Sequence, residues 1–400
     1  MNTTFAPTWV KHGPLALLLM LAMTLPMLVL YSLSALAPEL MQTLQLKPSQ
    51  FGMLISASFA VAALLSPWAG TVVQSLGARR SLFALFICVA CGFILLASQT
   101  AWSSLLLALV CCGIAQALCN PATNLMIAQE VPAASKPGMV GFKQAGVQVA
   151  ALLAGLILTP IAHAWGWQSM FMALLPLCLV LAVLAWRWPV GANATPPSKL
   201  TKPSLRPSKP NLALLLLMLV QIICGLVLAC FVSFLPQFAR QLSMNAQHAA
   251  HLLALFGGAG LCARLILTPL AAKWREEAWL LGLLLCIAGL GILSLDFAST
   301  SQHWPFFIAA ILLGCTAVPA NSIAMSMLLR DAAFGTPAQA SAWLSCGFFS
   351  GFAIGPALFA QIWQVQPMLA WHCLLLLLLL AVLPLAALIW RRRIGAPSAI

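Results

Sequence analysis

The chain has 400 residues, of which 62% are apolar and only 6% charged, against roughly 25% charged in a soluble globular protein. That excludes a water-facing surface of ordinary size and makes the bilayer the solvent. The net charge of +13 comes from bases scattered between apolar runs, with no basic stripe interleaved with aromatics, so nucleic acid is excluded as a partner.

Apolar runs of about 20 residues, the length that spans hydrocarbon, recur twelve times. The first six lie at about 15 to 38, 50 to 73, 81 to 99, 102 to 128, 138 to 163 and 167 to 187. The second six lie at about 212 to 236, 248 to 272, 278 to 297, 304 to 329, 338 to 363 and 368 to 390. The first run exceeds the roughly 7 to 15 residues of a signal-peptide core, and eleven more follow, so it reads as a span. Between the sets, Trp188 to Asn211 holds six prolines and Lys199, Lys202, Arg206 and Lys209, too little apolar area to fold. The expected organisation is an N-terminal six-helix bundle at 1–187, a linker at 188–211 and a C-terminal six-helix bundle at 212–400.

Cytoplasmic loops carry the excess of Lys and Arg. With the N-terminus cytoplasmic, that side holds fifteen of the nineteen bases and the far side only Lys47 and Arg240, while Lys143 and Arg264 fall within spans. Both termini are therefore expected in the cytoplasm, and the sequon Asn193-Ala194-Thr195 is discounted. Trp102, Trp165, Trp167, Trp186, Trp188, Trp279, Trp304, Trp363 and Trp390 fall at or beside the expected helix ends, where indole favours the headgroup level. Short loops point to a bacterial cytoplasmic (inner) membrane.

The thirteen cysteines lie almost entirely in apolar runs, where a thiol acts as a small hydrophobe. Cys88 and Cys91 form a C-x-x-C without a second pair at zinc spacing. His248 and His251 have no third ligand beside them. Gly257 to Gly260 lacks the Lys-Ser/Thr ending of a phosphate loop, and no G-x-S-x-G occurs. No cofactor, metal or enzymatic activity is expected.

The halves repeat each other. Ala35 to Gln50 lines up with Ser233 to His248, with Pro38 and Leu44 matching Pro236 and Leu242 at an offset of 198. Gly113 and Pro121-Ala122-Thr123-Asn124 match Gly314 and Pro319-Ala320-Asn321. Internal duplication of a six-helix unit is a transporter signature.

These features, with the loop Gly70-Thr71-Val72-Val73-Gln74-Ser75-Leu76-Gly77-Ala78-Arg79-Arg80 after the second span, resemble the major facilitator superfamily over nearly the whole chain. The family's loop has the form G-x-x-x-D-[RK]-x-G-[RK]-[RK]. Gly70 and Gly77 are in place and the paired arginines follow as Arg79 and Arg80, one residue late, while Gln74 stands where the acid is expected and Ser75 where a base is expected. The resemblance implies an all-α membrane fold of two pseudo-symmetric six-helix bundles, and a conformational latch at this loop that here has lost its charge. The arginine of the fourth span and the G-P-x-x-G-G run of the fifth, usual in drug/proton antiporters of the family, are missing.

Ionisable residues within spans cost about 2.5 to 3.5 kcal/mol each on insertion scales and are functional hypotheses by default. Arg264 lies about nine residues, roughly 13 Å, from Lys273, too deep to snorkel. All six acids, Glu39, Glu130, Glu276, Glu277, Asp296 and Asp331, fall at span ends or in loops. Arg264 therefore reads either as receiving an anionic group of the substrate, which its planar fork suits, or as bonded to helix carbonyls or Glu130. The resemblance favours the first, because an arginine in this region recurs in the family's organic-anion carriers.

Lys143 is about five residues inside its span, so its stem either reaches headgroups or lines the cavity. Gln144 and Gln148 share one helical face. Gln116, Asn120 and Asn124 follow at four-residue spacing on the fourth span, and Asn321 lies on the tenth. Each polar side chain reads as interhelical glue or as ligand. Tyr31, the one tyrosine, is a further candidate.

The sequence thus points to a secondary transporter, in all expectation a monomer among membrane lipids, whose two bundles rock about a midplane site and carry a small organic or inorganic anion. Arg264 would be the main contact and Lys143, Gln144, Gln148, Asn120, Asn124, Asn321 and Tyr31 the lining. A coupling proton or a counter-anion would be the further partner, and the alternative is an efflux pump for hydrophobic or drug-like compounds.

Overall fold

The structure, a computed structural model, describes residues 13–36, 43–45, 48–98, 102–189, 209–274 and 276–395. Most of the expected linker, Glu39, Lys47 and the sequon at Asn193 lie outside the described residues.

Twelve helices among the described residues are long and apolar enough to cross a membrane, one at each expected place. They are α1 (Gly13–Ala35), α2 (Pro48–Leu76), α3 (Ala78–Ser98), α4 (Trp102–Glu130), α5 (Lys136–Leu153), α6 (Trp167–Arg187), α7 (Leu212–Gln241), α8 (Ala246–Ala271), α9 (Glu277–Ser294), α10 (Trp304–Arg330), α11 (Pro337–Val365) and α12 (Pro367–Leu380). Two of them have continuations. A π-helical turn, Ala154–Leu158, carries α5 into Thr159–Trp165, and Val382–Gly395 follows α12.

Proline does not end these helices as it would in water. Pro26, Pro67, Pro121, Pro176, Pro236, Pro269, Pro319 and Pro356 all lie inside a helix. In hydrocarbon any break must find other partners for the freed backbone groups, so the chain keeps its helical bonds on both sides of the ring. The run expected to end near 236 therefore continues to Gln241. The π turn directly precedes Thr159 and Pro160, where the missing N–H shifts the hydrogen-bond register.

The helices fall into two compact units, one of Met1–Ser208 with Thr336–Ala342, the other of Lys209–Gly335 with Trp343–Ile400. In the first, α1 packs on α5, α2 on α4, and α3 on both α4 and α6. In the second, α8 packs on α10, and α9 on α10 and α12.

Lipid offers no hydrophobic drive for helix association, so close backbone approach over small residues has to supply it. A Cβ added at Gly113 would stand 2.7 Å from Ser58 O and 2.8 Å from Val61 Cβ. One added at Gly314 would stand 2.6 Å from Phe256 O and 2.9 Å from Ala259 Cβ. Gly146 likewise lies on Met20 O, and Gly347 on Met218 O. Ser58, Val61 and Met20 lead Phe256, Ala259 and Met218 by 198, and Gly113 and Gly146 lead Gly314 and Gly347 by 201.

The internal repeat therefore holds contact by contact. It also corrects one sequence match. With the fourth and tenth helices in this register Asn321 stands at the position of Asn120, so the pairing of Pro121 with Pro319 is displaced by three residues. Three residues are close to one helical turn, which is why the two proline runs look alike in sequence.

The outward faces are apolar, with Leu156, Ile157, Val365 and Leu383 among the most exposed side chains. Trp165, Trp186, Trp279, Trp304 and Trp390 stand exposed at helix ends, as indole at headgroup level would. Trp167 does not: it is buried edge-on against Phe171. Trp363 joins Phe234, Phe238, Phe359 and the buried Trp371 in an aromatic cluster of the second unit.

Candidate functional site

In the first unit the polar residues of α4 and α5 meet. Lys143 is completely buried, and its Nζ donates to Thr123 Oγ1 at 2.7 Å and to Asn120 Oδ1 at 3.2 Å. Gln144 Nε2 donates to the same Asn120 oxygen at 2.9 Å. Thr123 passes its own proton to Cys119 O at 2.6 Å. The side chain of Lys143 thus turns inward to α4 and does not reach for headgroups.

The local sequence explains this placement. Gly146 lets α5 lie against α1, where Thr24 Oγ1 donates to Gly146 O at 3.0 Å. On the other side Cys119 Sγ donates to Ala22 O at 2.8 Å. With both neighbours this close, the face bearing Lys143 and Gln144 is directed at Asn120 and Thr123. A buried ammonium costs several kcal/mol after relaxation, and the oxygens of Asn120 and Thr123 are among the partners that hold it.

Asn124, one turn beyond Asn120, donates from Nδ2 to Ser341 Oγ at 2.7 Å, within the segment Thr336–Ala342 of the same unit. Gln116 and Gln148 are buried at 3% and 4% exposure, so both are candidates that face protein and not lipid. Tyr31 is half-buried.

In the second unit Arg264 on α8 is 3% exposed, and its Nε donates to Val318 O of α10 at 3.2 Å. Gly260, one turn earlier, holds α8 against Val318. One turn beyond, Thr268 Oγ1 and Ser322 Oγ are 2.7 Å apart. Part of the guanidinium is therefore anchored on a helix carbonyl, one of the two environments expected for it. Such an anchor also fixes the direction of the fork. Asn321 is 3% exposed, and its Oδ1 is buried without a hydrogen-bond partner. An orphaned buried acceptor costs about 1 to 3 kcal/mol.

The loop between α2 and α3 keeps its turn. Gly77 takes φ 81°, a left-handed conformation that favours glycine. Gln74 Nε2 donates to Thr336 Oγ1, and Gln339 Nε2 donates to Gln74 Oε1 at 3.1 Å. Gly70 lies against the backbone of Ala338 and Gln339. Arg79 Nη2 donates to Trp186 O at the end of α6, and Arg80 is exposed. The amide at 74 thus makes two neutral hydrogen bonds where a carboxylate could only accept.

One residue escaped the sequence reading. Gln221 on α7 is fully buried, and neither its Oε1 nor its Nε2 finds a partner. The signal was available: it is the one side chain of Leu212 to Phe231 that is neither apolar, glycine nor cysteine. No metal-binding group of three His, Cys, Asp or Glu occurs among the described residues.

A family model described as Major Facilitator Superfamily matches residues 19–356. Among curated proteins, a galacturonate transporter of Dickeya chrysanthemi is 29% identical over 157 residues, which is 39% of this chain and 45% of that protein. A hexuronate transporter of Escherichia coli (strain K12) is also 29% identical over 157 residues, 39% of this chain and 36% of that protein. The chain spans less than half the length of these curated relatives. Among solved structures, the human organic anion transporter MFSD10 (TETRAN) superposes with a TM-score of 0.74 at 14% identity, over 93% of this chain and 98% of that one. At that identity the likeness shows the fold.

Proposed function

The chain belongs to the Major Facilitator Superfamily and is a transporter, and on that footing we propose that its cargo is a small organic anion of the sugar-acid class, moved by alternating access. The observation that carries the proposal is Arg264, a permanent cation that lies 3% exposed within α8 of the second unit. A guanidinium receives a carboxylate through two parallel hydrogen bonds. Lys143, Asn120 and Gln144 form the corresponding polar cluster of the first unit.

The matched relatives support the same class, since their named cargoes, galacturonate and hexuronates, are carboxylates bearing hydroxyl groups. Gln74, Gly70, Gly77, Arg79 and Arg80 are proposed as a conformational latch held by neutral hydrogen bonds. The proposed setting is a bacterial inner membrane with both termini in the cytoplasm.

Counterflow into proteoliposomes tests the cargo. Vesicles preloaded with galacturonate, glucose, an aliphatic monocarboxylate or a lipophilic cationic drug are diluted into trace labelled galacturonate. Accumulation of label only in vesicles preloaded with a hydroxylated carboxylate is the expected result. No counterflow of labelled galacturonate under any preload, together with saturable movement of the labelled lipophilic cation, would instead establish the hydrophobic exporter.

A further inference from the structure

The repeat between the two units is broken at one buried amide. The glycine contacts make α1 and α2 equivalent to α7 and α8 at an offset of 198, and α4 and α5 equivalent to α10 and α11 at an offset of 201. In that register Asn321 corresponds to Asn120, Leu344 to Lys143, Ser345 to Gln144 and Arg264 to Ser66. Each asparagine lies seven residues, two turns, beyond the glycine that seats its helix.

In the first unit the Asn120 oxygen accepts from both Lys143 and Gln144. In the second unit an aliphatic side chain and a short hydroxyl stand where those two donors would be, and Leu344 and Ser345 are fully buried. The Asn321 oxygen, at the same place in the fold, has no hydrogen bond. The fold has therefore kept the acceptor, while neither residue at the two donor places bonds to it.

The cation has moved as well. Arg264 enters from the α8 position equivalent to Ser66 and donates to Val318 O, three residues before Asn321 and on the same face of α10. An anchored guanidinium and an open amide oxygen thus lie within one turn of each other, inside one unit. That pair matches a carboxylate with a hydroxyl nearby on the same molecule.

We propose that Asn321 is a specificity residue: its amide takes a substrate hydroxyl while Arg264 takes the carboxylate, so that a hydroxy acid is preferred over its deoxy analogue. The proposal rests on the anion reading given above. The first unit, whose equivalent oxygen is already doubly bonded, contributes no such hydroxyl contact through Asn120.

The test is competition against labelled galacturonate uptake in proteoliposomes of the full chain, using the set of monodeoxy galacturonates. In the wild type one monodeoxy analogue is expected to compete about tenfold more weakly than galacturonate, the worth of one hydrogen bond. In Asn321→Leu that gap closes, because galacturonate falls to the level of the analogue while the other analogues keep their order. Asn321→Ala should give the same closure without added bulk.

Wild-type protein that treats every monodeoxy analogue like galacturonate overturns the proposal with no variant needed, and leaves the open oxygen as packing or a water site. A gap that persists in both variants also overturns it. Transport of anions without any preference for hydroxyls removes this proposal alone, whereas no anion transport at all removes the anion reading together with it.

Discussion

At the scale of single residues, the two buried cations are held differently, and this makes their substitutions distinguishable. Lys143 is held by side-chain oxygens of Asn120 and Thr123, whereas Arg264 is held by a main-chain carbonyl of α10. Lys143→Gln retains a donor for Asn120 and removes a buried charge whose desolvation is costly. It should leave the thermal midpoint in detergent within a few degrees of wild type and cut galacturonate uptake at least tenfold. A large fall in the midpoint with normal uptake per folded molecule would show that the ammonium is structural only.

The direction of Lys143 could not be read from the sequence, because five residues of depth permit either outcome for a four-carbon stem. Its direction follows from Gly146 and Thr24, which fix how α5 rotates against α1. Gln221 was legible as a lone polar residue in an apolar run, yet its burial without partners was not. Gln221→Leu should raise stability by about 1 to 3 kcal/mol if the amide stays unbonded throughout, as measured by urea or thermal unfolding. A loss of uptake in that variant would place Gln221 among the substrate contacts.

At the scale of helices, apolar length alone located all twelve segments, because the thickness of hydrocarbon sets one length for every span. Their ends were less legible. Proline signals a helix end in water and a tolerated interruption in lipid, so α7 passes Pro236. The register of the repeat between α4 and α10 was also misjudged through proline, since contact follows the glycines and not the prolines.

This gives a contrast within one helix. A Cβ at Gly258 meets nothing within 4 Å, while one at Gly260 would stand 2.8 Å from Val318 Cγ1. Gly258→Ala should stabilise by about 0.5 to 1 kcal/mol through helix propensity. Gly260→Val should destabilise by about 1 to 3 kcal/mol through overpacking and weaken uptake by displacing the anchor of Arg264. Equal thermal midpoints for the two variants would contradict the packing described for α8 and α10. At the turn after α2, Gly77→Ala has open space but must adopt φ 81°, so about 1 to 2 kcal/mol of strain is expected, read as a lower midpoint.

At the scale of the molecule, each unit carries the same helix contacts and a different cation. Duplication explains the shared packing; the departures from it, Lys143 against Leu344 and Arg264 against Ser66, mark where the two units were made unlike. A sequence repeat reveals the duplication, but only the contact register shows which residues occupy equivalent places. That is why Asn321 was legible as one polar residue of a lining and not as the counterpart of Asn120 whose side-chain oxygen is left unbonded.

The most direct test of the anion reading is initial-rate uptake of labelled galacturonate by proteoliposomes containing wild type, Arg264→Lys or Arg264→Gln, with reconstitution confirmed by equal thermal midpoints. Saturable uptake in the wild type, reduced by Arg264→Lys and lost in Arg264→Gln at least a hundredfold, is the predicted result, because lysine keeps the charge but not the bidentate fork. Uptake in Arg264→Gln equal to wild type would contradict it and leave the arginine as a bond between α8 and α10 alone.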